Sequence, residues 1–278
     1  MVHIVKRKEM PLAQSLAIRF GIIVLAVVVC GVITMFATGL NPIDVYATMI
    51  KGSFGSPRKM WILLQETALL LCVSLALTPA FRMKFWNLGG EGQVLAGALA
   101  SAACMLGFAD AMPSALLIVI MLVASLFAGA LWAAIPAYFK AKFNTNETLF
   151  TLMMNYVAVQ IVAYFVIRWE VPKGSGNIGI INQSTEAGWL PQVAGNKYLL
   201  IVLVAILLTA GMYVYLNYSK HGYEISVVGE SPSTARYVGI KVNKAIIRTL
   251  ILSGAICGLT GFLLVGGSAH TLTTAIAG

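Results

Sequence analysis

Charge is scarce in this chain. Asp, Glu, Lys and Arg make up 10% of its 278 residues, against roughly a quarter in soluble domains. That deficit excludes an ordinary water-soluble globule. Cysteine and histidine are also sparse. Cys30, Cys72, Cys104 and Cys257 all lie in apolar runs and form no C-x-x-C pair, and His3, His221 and His270 are scattered. Disulfides and metal ligation are therefore not expected, and small buried apolar residues are the natural role of the thiols. Neither an H-E-x-x-H pattern nor a G-K-[ST] phosphate loop occurs, and no nucleophile–base pairing lies within the apolar runs. Metal hydrolysis and phosphate chemistry have no local signature, and a membrane enzyme ranks last among the function classes.

What the chain has instead is apolar length. It is 59% hydrophobic, and its mean hydropathy is +0.86. Apolar runs of about 20 residues recur, each long enough to cross a bilayer. The fold class read from this is an all-α polytopic integral membrane protein with about seven transmembrane helices, forming a single membrane domain over residues 1–278. The spans are expected near 20–38, 60–81, 94–109, 114–138, 148–167, 198–215 and 249–266. The first follows a basic start, but more spans follow it, so it reads as a retained helix rather than a signal peptide. Residues 39–59, with Asn41-Pro42 and Gly-Ser punctuation, read as a connection. Glu66 in the second span is either a pathway residue or a carboxylate reaching the headgroups.

Several polar features interrupt the runs. Gly89, Gly90 and Gly92 predict a helix break, either a turn outside the membrane or a discontinuous helix. Thr148, Thr151 and Asn155 share one helix face, which either lines a pathway or bonds a neighbouring helix; Gln160 lies off that face. Small residues at four-residue spacing, Gly97/Ser101, Gly129/Ala133 and Gly254/Gly258, predict close helix approach. Residues 168–197 form a long polar loop, either a partner surface or a connection.

The densest polar stretch is Asn217–Arg248. It contains a helix with its own start and stop signals. Ser231 is placed as N-cap and Pro232 at the first helical position, and Gly239 stands at the left-handed cap with Ile240 after it. The helix either lies on the headgroups or docks a partner. With the N-terminus inside and the spans alternating, only Lys51, Arg58, Lys59, Arg168, Lys173 and Lys197 of the 19 basic residues fall outside. The positive-inside rule then makes residues 217–248 cytoplasmic and 168–197 extracytoplasmic, and it favours the docking role.

Three stretches carry a family resemblance. WNLGGEGQ (Trp86–Gln93) is similar to an N-[IL]-G-x-E-G-Q motif. YFKAKFNTNETLFTLMMNYVA (Tyr138–Ala158) resembles a run from K-A-x-F through N-E to T-L-M-x-N-Y. GESPSTARYVGI (Gly229–Ile240) resembles G-E-N-P-x-A-A-R-Y-x-G-I, with Thr234 where the family has Ala. These motifs resemble the membrane permease subunits of ATP-binding-cassette importers, in the simple sugar and nucleoside branch of the branched-chain amino acid/ribose-type superfamily. The resemblance implies a coupling helix with Gly229, Glu230, Ser231, Ala235, Arg236, Tyr237, Gly239 and Ile240 as ATPase-coupling residues. It implies translocation-path roles for Asn87, Glu91, Gln93 and Asn155. It further implies ABC ATPase subunits, a second permease subunit and an extracytoplasmic substrate-binding lipoprotein as partners. ATP and magnesium would be held by the ATPase, with no cofactor and no catalytic residue in this chain. Family members continue with further spans beyond the position of Gly278, so the chain is expected to be truncated relative to them. The competing reading is a secondary transporter driven by an ion gradient, for which Glu66 is the acidic candidate.

Overall fold

The computed structural model describes residues 11–277, so the basic residues Lys6, Arg7 and Lys8 that entered the charge count lie outside the described residues. Ten α-helices follow in order: α1 (Leu12–Thr38), α2 (Pro42–Phe54), α3 (Pro57–Arg82), α4 (Gly90–Phe108), α5 (Ser114–Phe143), α6 (Glu147–Trp169), α7 (Leu199–Tyr218), α8 (Lys220–Glu230), α9 (Pro232–Tyr237) and α10 (Val242–Leu263). A π-helical stretch, Leu264–Ala269, prolongs α10. Among the described residues, β-structure is limited to an isolated bridge between Val193 and Asn196. Among the described residues, seven helices are long and apolar enough to cross a membrane: α1, α3, α4, α5, α6, α7 and α10 with its π-helical extension. Packing divides the described residues into two units at Leu63–Leu64.

The first unit is built on α1 and α2. The connection expected over residues 39–59 is a helix for most of its length, which corrects the sequence reading. Its start signals were present: Asn41 accepts a hydrogen bond from Ile43 N and Pro42 holds the first turn. Read as a turn, Asn-Pro is equally an N-cap followed by N1. Gly39, at φ +70°, closes α1 in the left-handed conformation, and the Tyr46 hydroxyl donates to Val27 O at 2.6 Å.

In the second unit α4 and α10 are the central pair. Over half of their apolar windows is buried, 56% and 67%, against 22–28% for α3, α5, α6 and α7. Small residues let them approach. A side-chain carbon on Gly258 would collide with the carbonyl oxygen of Ser125, and one on Gly254 with that of Gly129. On the α4 side, a carbon on Gly97 would lie 2.5 Å from Gly258 Cα. The four-residue spacing seen in sequence is thus a backbone-to-backbone seam of α10 against both α5 and α4.

Two further corrections concern glycine and length. Gly90 and Gly92 do not break the chain; they form the first turn of α4, with Gly89 as its N-cap. Likewise α10 begins at Val242, well before the expected span start, because polar residues at a helix end do not stop it. The stretch before it is also more helical than expected: α8 is capped by Ser219, whose hydroxyl accepts from Gly222 N at 3.0 Å.

Candidate functional site

Two of the three motif stretches, with the residues just ahead of the third, meet at one end of the second unit. A cleft of about 580 Å³ is lined there by Phe85 ahead of α4, by Lys140, Asn144 and Glu147 at the α5–α6 turn, and by Gly229 and Arg236 of the α8–α9 pair, among others. Each wall has a local cause. Asn144 at φ +50° ends α5, and the Asn146 side chain accepts from Leu149 N to begin α6. Across that turn Lys140 Nζ pairs with Glu147 Oε2 at 2.8 Å. The pair is partly exposed, and such bridges contribute about 0–1 kcal/mol; its service is to fix the turn.

Helix α9 is built by its caps. The Ser231 hydroxyl accepts from Thr234 N at 3.3 Å, with Pro232 at N1. At the other end Gly239 N donates to Arg236 O at 3.0 Å and Ile240 N donates to Ala235 O at 2.9 Å. Those two bonds, with Gly239 at φ +84°, are the Schellman motif. So short a helix is not self-stable. Buried Ala235 anchors it, while Tyr237 is 92% exposed and Arg236 is exposed beside it. The coupling residues expected from sequence therefore split. Gly229 and Ala235 face inward, and Glu230, Arg236, Tyr237 and Gly239 face outward, with Ser231 and Ile240 half-buried.

Deeper in, a polar network gathers three of the four expected path residues. Asn87 is 0% and Gln93 1% exposed, and Asn155 is buried. Asn87 Oδ1 accepts from Gly89 N at 3.0 Å, and its Nδ2 lies 3.5 Å from the Ser253 hydroxyl of α10. Asn155 spans the start of α4: its Oδ1 accepts from Gly92 N at 2.9 Å and its Nδ2 donates to Leu88 O at 2.7 Å. One turn earlier Thr151 Oγ1 accepts from Leu88 N at 3.2 Å. The polar stripe of α6 thus bonds a neighbour, and Gly92 N, a first-turn donor of α4 of the kind that has no partner in its own helix, finds one there. Glu91 is exposed and stands outside the network, as do exposed Glu66 and Gln160.

The depth of the network follows from helix geometry. Asn155 is eight residues into α6 and Ser253 eleven into α10, about 12 and 16 Å at 1.5 Å per residue. Segment 83–89 alternates buried Met83, Phe85, Asn87 and Gly89 with exposed Lys84, Trp86 and Leu88, so one face packs on the helices while the other is open. Side chains satisfy its irregular backbone where it is buried. Sequence reasoning missed Ser253 and Trp132. Trp132 Nε1 would lie 3.0 Å from a side-chain carbon on Gly92. Trp132 Nε1 and Gln93 Oε1 are buried without a hydrogen-bond partner among the described residues. A lone Trp or Ser in an apolar run carries no spacing signal that would have marked it.

The opposite end is closed by the 170–197 loop. Glu170 accepts from Gly174 N and Gly176 N, both at 2.8 Å, and these bonds hold its carboxyl below the ordinary range. Ile181 N donates to His270 O, and Leu190 N to Gly266 O, both at 2.8 Å. The Trp189 ring stacks on His270 at 3.9 Å and 8°. Burial, then the charge of Lys197, push the His270 pKa below its ordinary value, against a backbone hydrogen bond to Val265 and the charge of Glu186. A depressed imidazole favours the closed loop above the ordinary histidine range, and that preference is lost as pH falls through the lowered value. Limited proteolysis of the loop should accelerate between pH 7.5 and 5, a window in which Glu170 stays charged. His270→Gln should remove that pH dependence; an unchanged profile in the variant would assign it elsewhere.

Comparison with known proteins adds a separate line of support. Residues 60–274 match the family model described as branched-chain amino acid transport system / permease component. The chain is 30% identical to a guanosine ABC transporter permease of Bacillus subtilis, over 92% of this chain and 72% of the relative. It is 28% identical to a glucose ABC transporter permease of Haloferax volcanii, over 91% and 69%, and to a nucleoside ABC transporter permease of Lactococcus lactis, over 90% and 69%. No solved structure gives a significant match.

Proposed function

The chain belongs to the family of branched-chain amino acid transport system permease components, and from that premise we propose that it imports a nucleoside or simple sugar through α9-coupled ATP hydrolysis. It is a multi-pass membrane permease of the ABC class, and its similarities favour that class over an ion-driven secondary transporter. ABC permeases work with ATPase and substrate-binding partners in general. The specific set proposed for this chain is a pair of ATPase subunits that hold ATP and magnesium, a second permease subunit and an extracytoplasmic lipoprotein.

One observation carries the reading: α9 presents Tyr237 and Arg236 outward on a helix fixed at both ends by its own caps. A connection between two membrane spans needs no such device; a docking surface does. Movement of docked ATPases would be delivered at Gly229, Glu230, Ser231, Ala235, Arg236, Tyr237, Gly239 and Ile240. The helices would then alternate between two openings, a two-state element biased from a distant site. Lys84, Lys140, Lys142, Lys220, Lys241, Lys244 and Arg248 accompany Arg236 on segments at the α9 end, which supports a cytoplasmic location for that end and for the N-terminus.

The names of the relatives support a nucleoside or sugar as solute. Asn87, Gln93 and Asn155, with Glu91 nearer the surface, are proposed for its path. The assembled importer in proteoliposomes should take up labelled guanosine or glucose only with ATP inside the ATPase-facing compartment. Competition by a branched-chain amino acid alone, with neither nucleosides nor sugars effective, would sink the solute assignment.

A further inference from the structure

Segment 83–89 is gripped from two sides. From α6, Thr151 and Asn155 take both backbone groups of Leu88, and Asn155 also takes Gly92 N. From α8, Gly229 packs on the end of α3: a side-chain carbon there would collide with Arg82 O and lie 3.2 Å from Met83 Cα. Met83 and Phe85 share one apolar cluster with Val228 of α8 and Ala235 of α9. The α8–α9 pair therefore has no slack against the near end of the segment, and its far end, Asn87, is the one in the polar network. The 580 Å³ cleft bordered by α8–α9, by Met83–Phe85 and by the α5–α6 turn leaves room for the pair and the segment to shift together.

We propose that segment 83–89 is the moving element that relays displacement of α8–α9 to the translocation path, and that Thr151 and Asn155 are positioning residues that hold it seated. The proposal rests on the ATPase-coupled reading above. Leu88 has no fixed helical partner of its own. Releasing it exchanges side-chain hydrogen bonds on α6 for new ones, a change between discrete arrangements rather than a gradual bend. Because Gly229 packs on backbone, not on a yielding side chain, displacement of α8 toward α3 pushes Met83 with it.

A reversible lock tests this. A side-chain carbon on Gly89 would lie 3.1 Å from Thr151 Cβ, close to the usual disulfide separation of about 3.5–4.5 Å. Gly89→Cys with Thr151→Cys, in the complete importer, should cross-link on oxidation, with each single variant as control. The oxidised complex should keep its ATPases and hydrolyse ATP, while solute uptake falls at least tenfold below that of the same reduced double variant and returns to that reduced level on reduction. Uptake equal in the oxidised and reduced states overturns the proposal, as does failure of the pair to cross-link. Thr151→Val removes the acceptor for Leu88 N together with the hydroxyl's own bond to Glu147 O within α6. It should lower solute moved per ATP several-fold at unchanged protein yield, with Thr151→Ser restoring it; an unchanged ratio overturns the positioning role. If ATPases do not co-purify with the unsubstituted chain, it is the functional reading that fails, not the relay.

Discussion

Gly258→Leu should abolish the folded protein. Gly258 sits where α10 meets both neighbours: a side chain there strikes Ser125 O of α5, and α4 approaches so closely that a carbon on Gly97 would be 2.5 Å from Gly258 Cα. Overpacking an ordinary core costs about 1–3 kcal/mol because side chains can yield. Here the obstacles are backbone, so two helix pairs must separate and the cost should exceed about 3 kcal/mol, a large share of a typical 5–15 kcal/mol total. Gly211→Leu on α7 is the matched control, since nothing lies within 4 Å of a carbon placed there, and it should stay within about 0.5 kcal/mol of the parent. Thermal midpoint and monodisperse yield in detergent report both. Equal behaviour of the two variants would show that the seam does not hold α4, α5 and α10 together.

Gly239→Pro should remove ATPase retention while leaving membrane insertion intact. Proline fixes φ near −65° and has no N–H, whereas Gly239 stands at φ +84° and donates to Arg236 O. Both requirements of the cap are lost together, and no candidate membrane span includes the position. Retention of the ATPase on the purified chain should fall at least tenfold, which is about 1.4 kcal/mol of binding. Arg236→Glu should weaken docking by reversing an exposed charge without touching the caps. Ser231→Ala should do less, since loss of an N-cap costs about 1 kcal/mol. Full retention in both Gly239→Pro and Arg236→Glu would mean that α9 is not the docking element.

The seven spans were legible in the sequence because length and hydropathy suffice for them. Helix α9 was legible because its signals are local: a capping serine, a proline at N1 and a glycine whose conformation other residues avoid. Two things were not local. Glycine propensity predicts a break at Gly90 and Gly92, but tertiary packing overrides it. A side-chain carbon on Gly92 would lie 2.9 Å from Asn155 Oδ1 and 3.0 Å from Trp132 Nε1. The helix tolerates glycine there because its neighbours leave no room for anything larger. The other was partnership. Spacing placed Thr151 and Asn155 on one face, yet only the fold could show that the face is spent on Leu88 and Gly92. That use of Asn155 gives it a structural duty alongside the path role proposed for it. The fourth path candidate, Glu91, is exposed and bonds none of the other three.

The central claim, that α9 is where ATP hydrolysis enters this permease, is tested most directly by a photocrosslinking benzoyl-phenylalanine placed at Tyr237, an almost fully exposed side chain of the helix. Irradiated in cells carrying the whole importer, it should yield one dominant adduct, the ATPase subunit, and the adduct should be lost with Gly239→Pro. An adduct with the extracytoplasmic binding protein, or with lipid alone, would contradict the account.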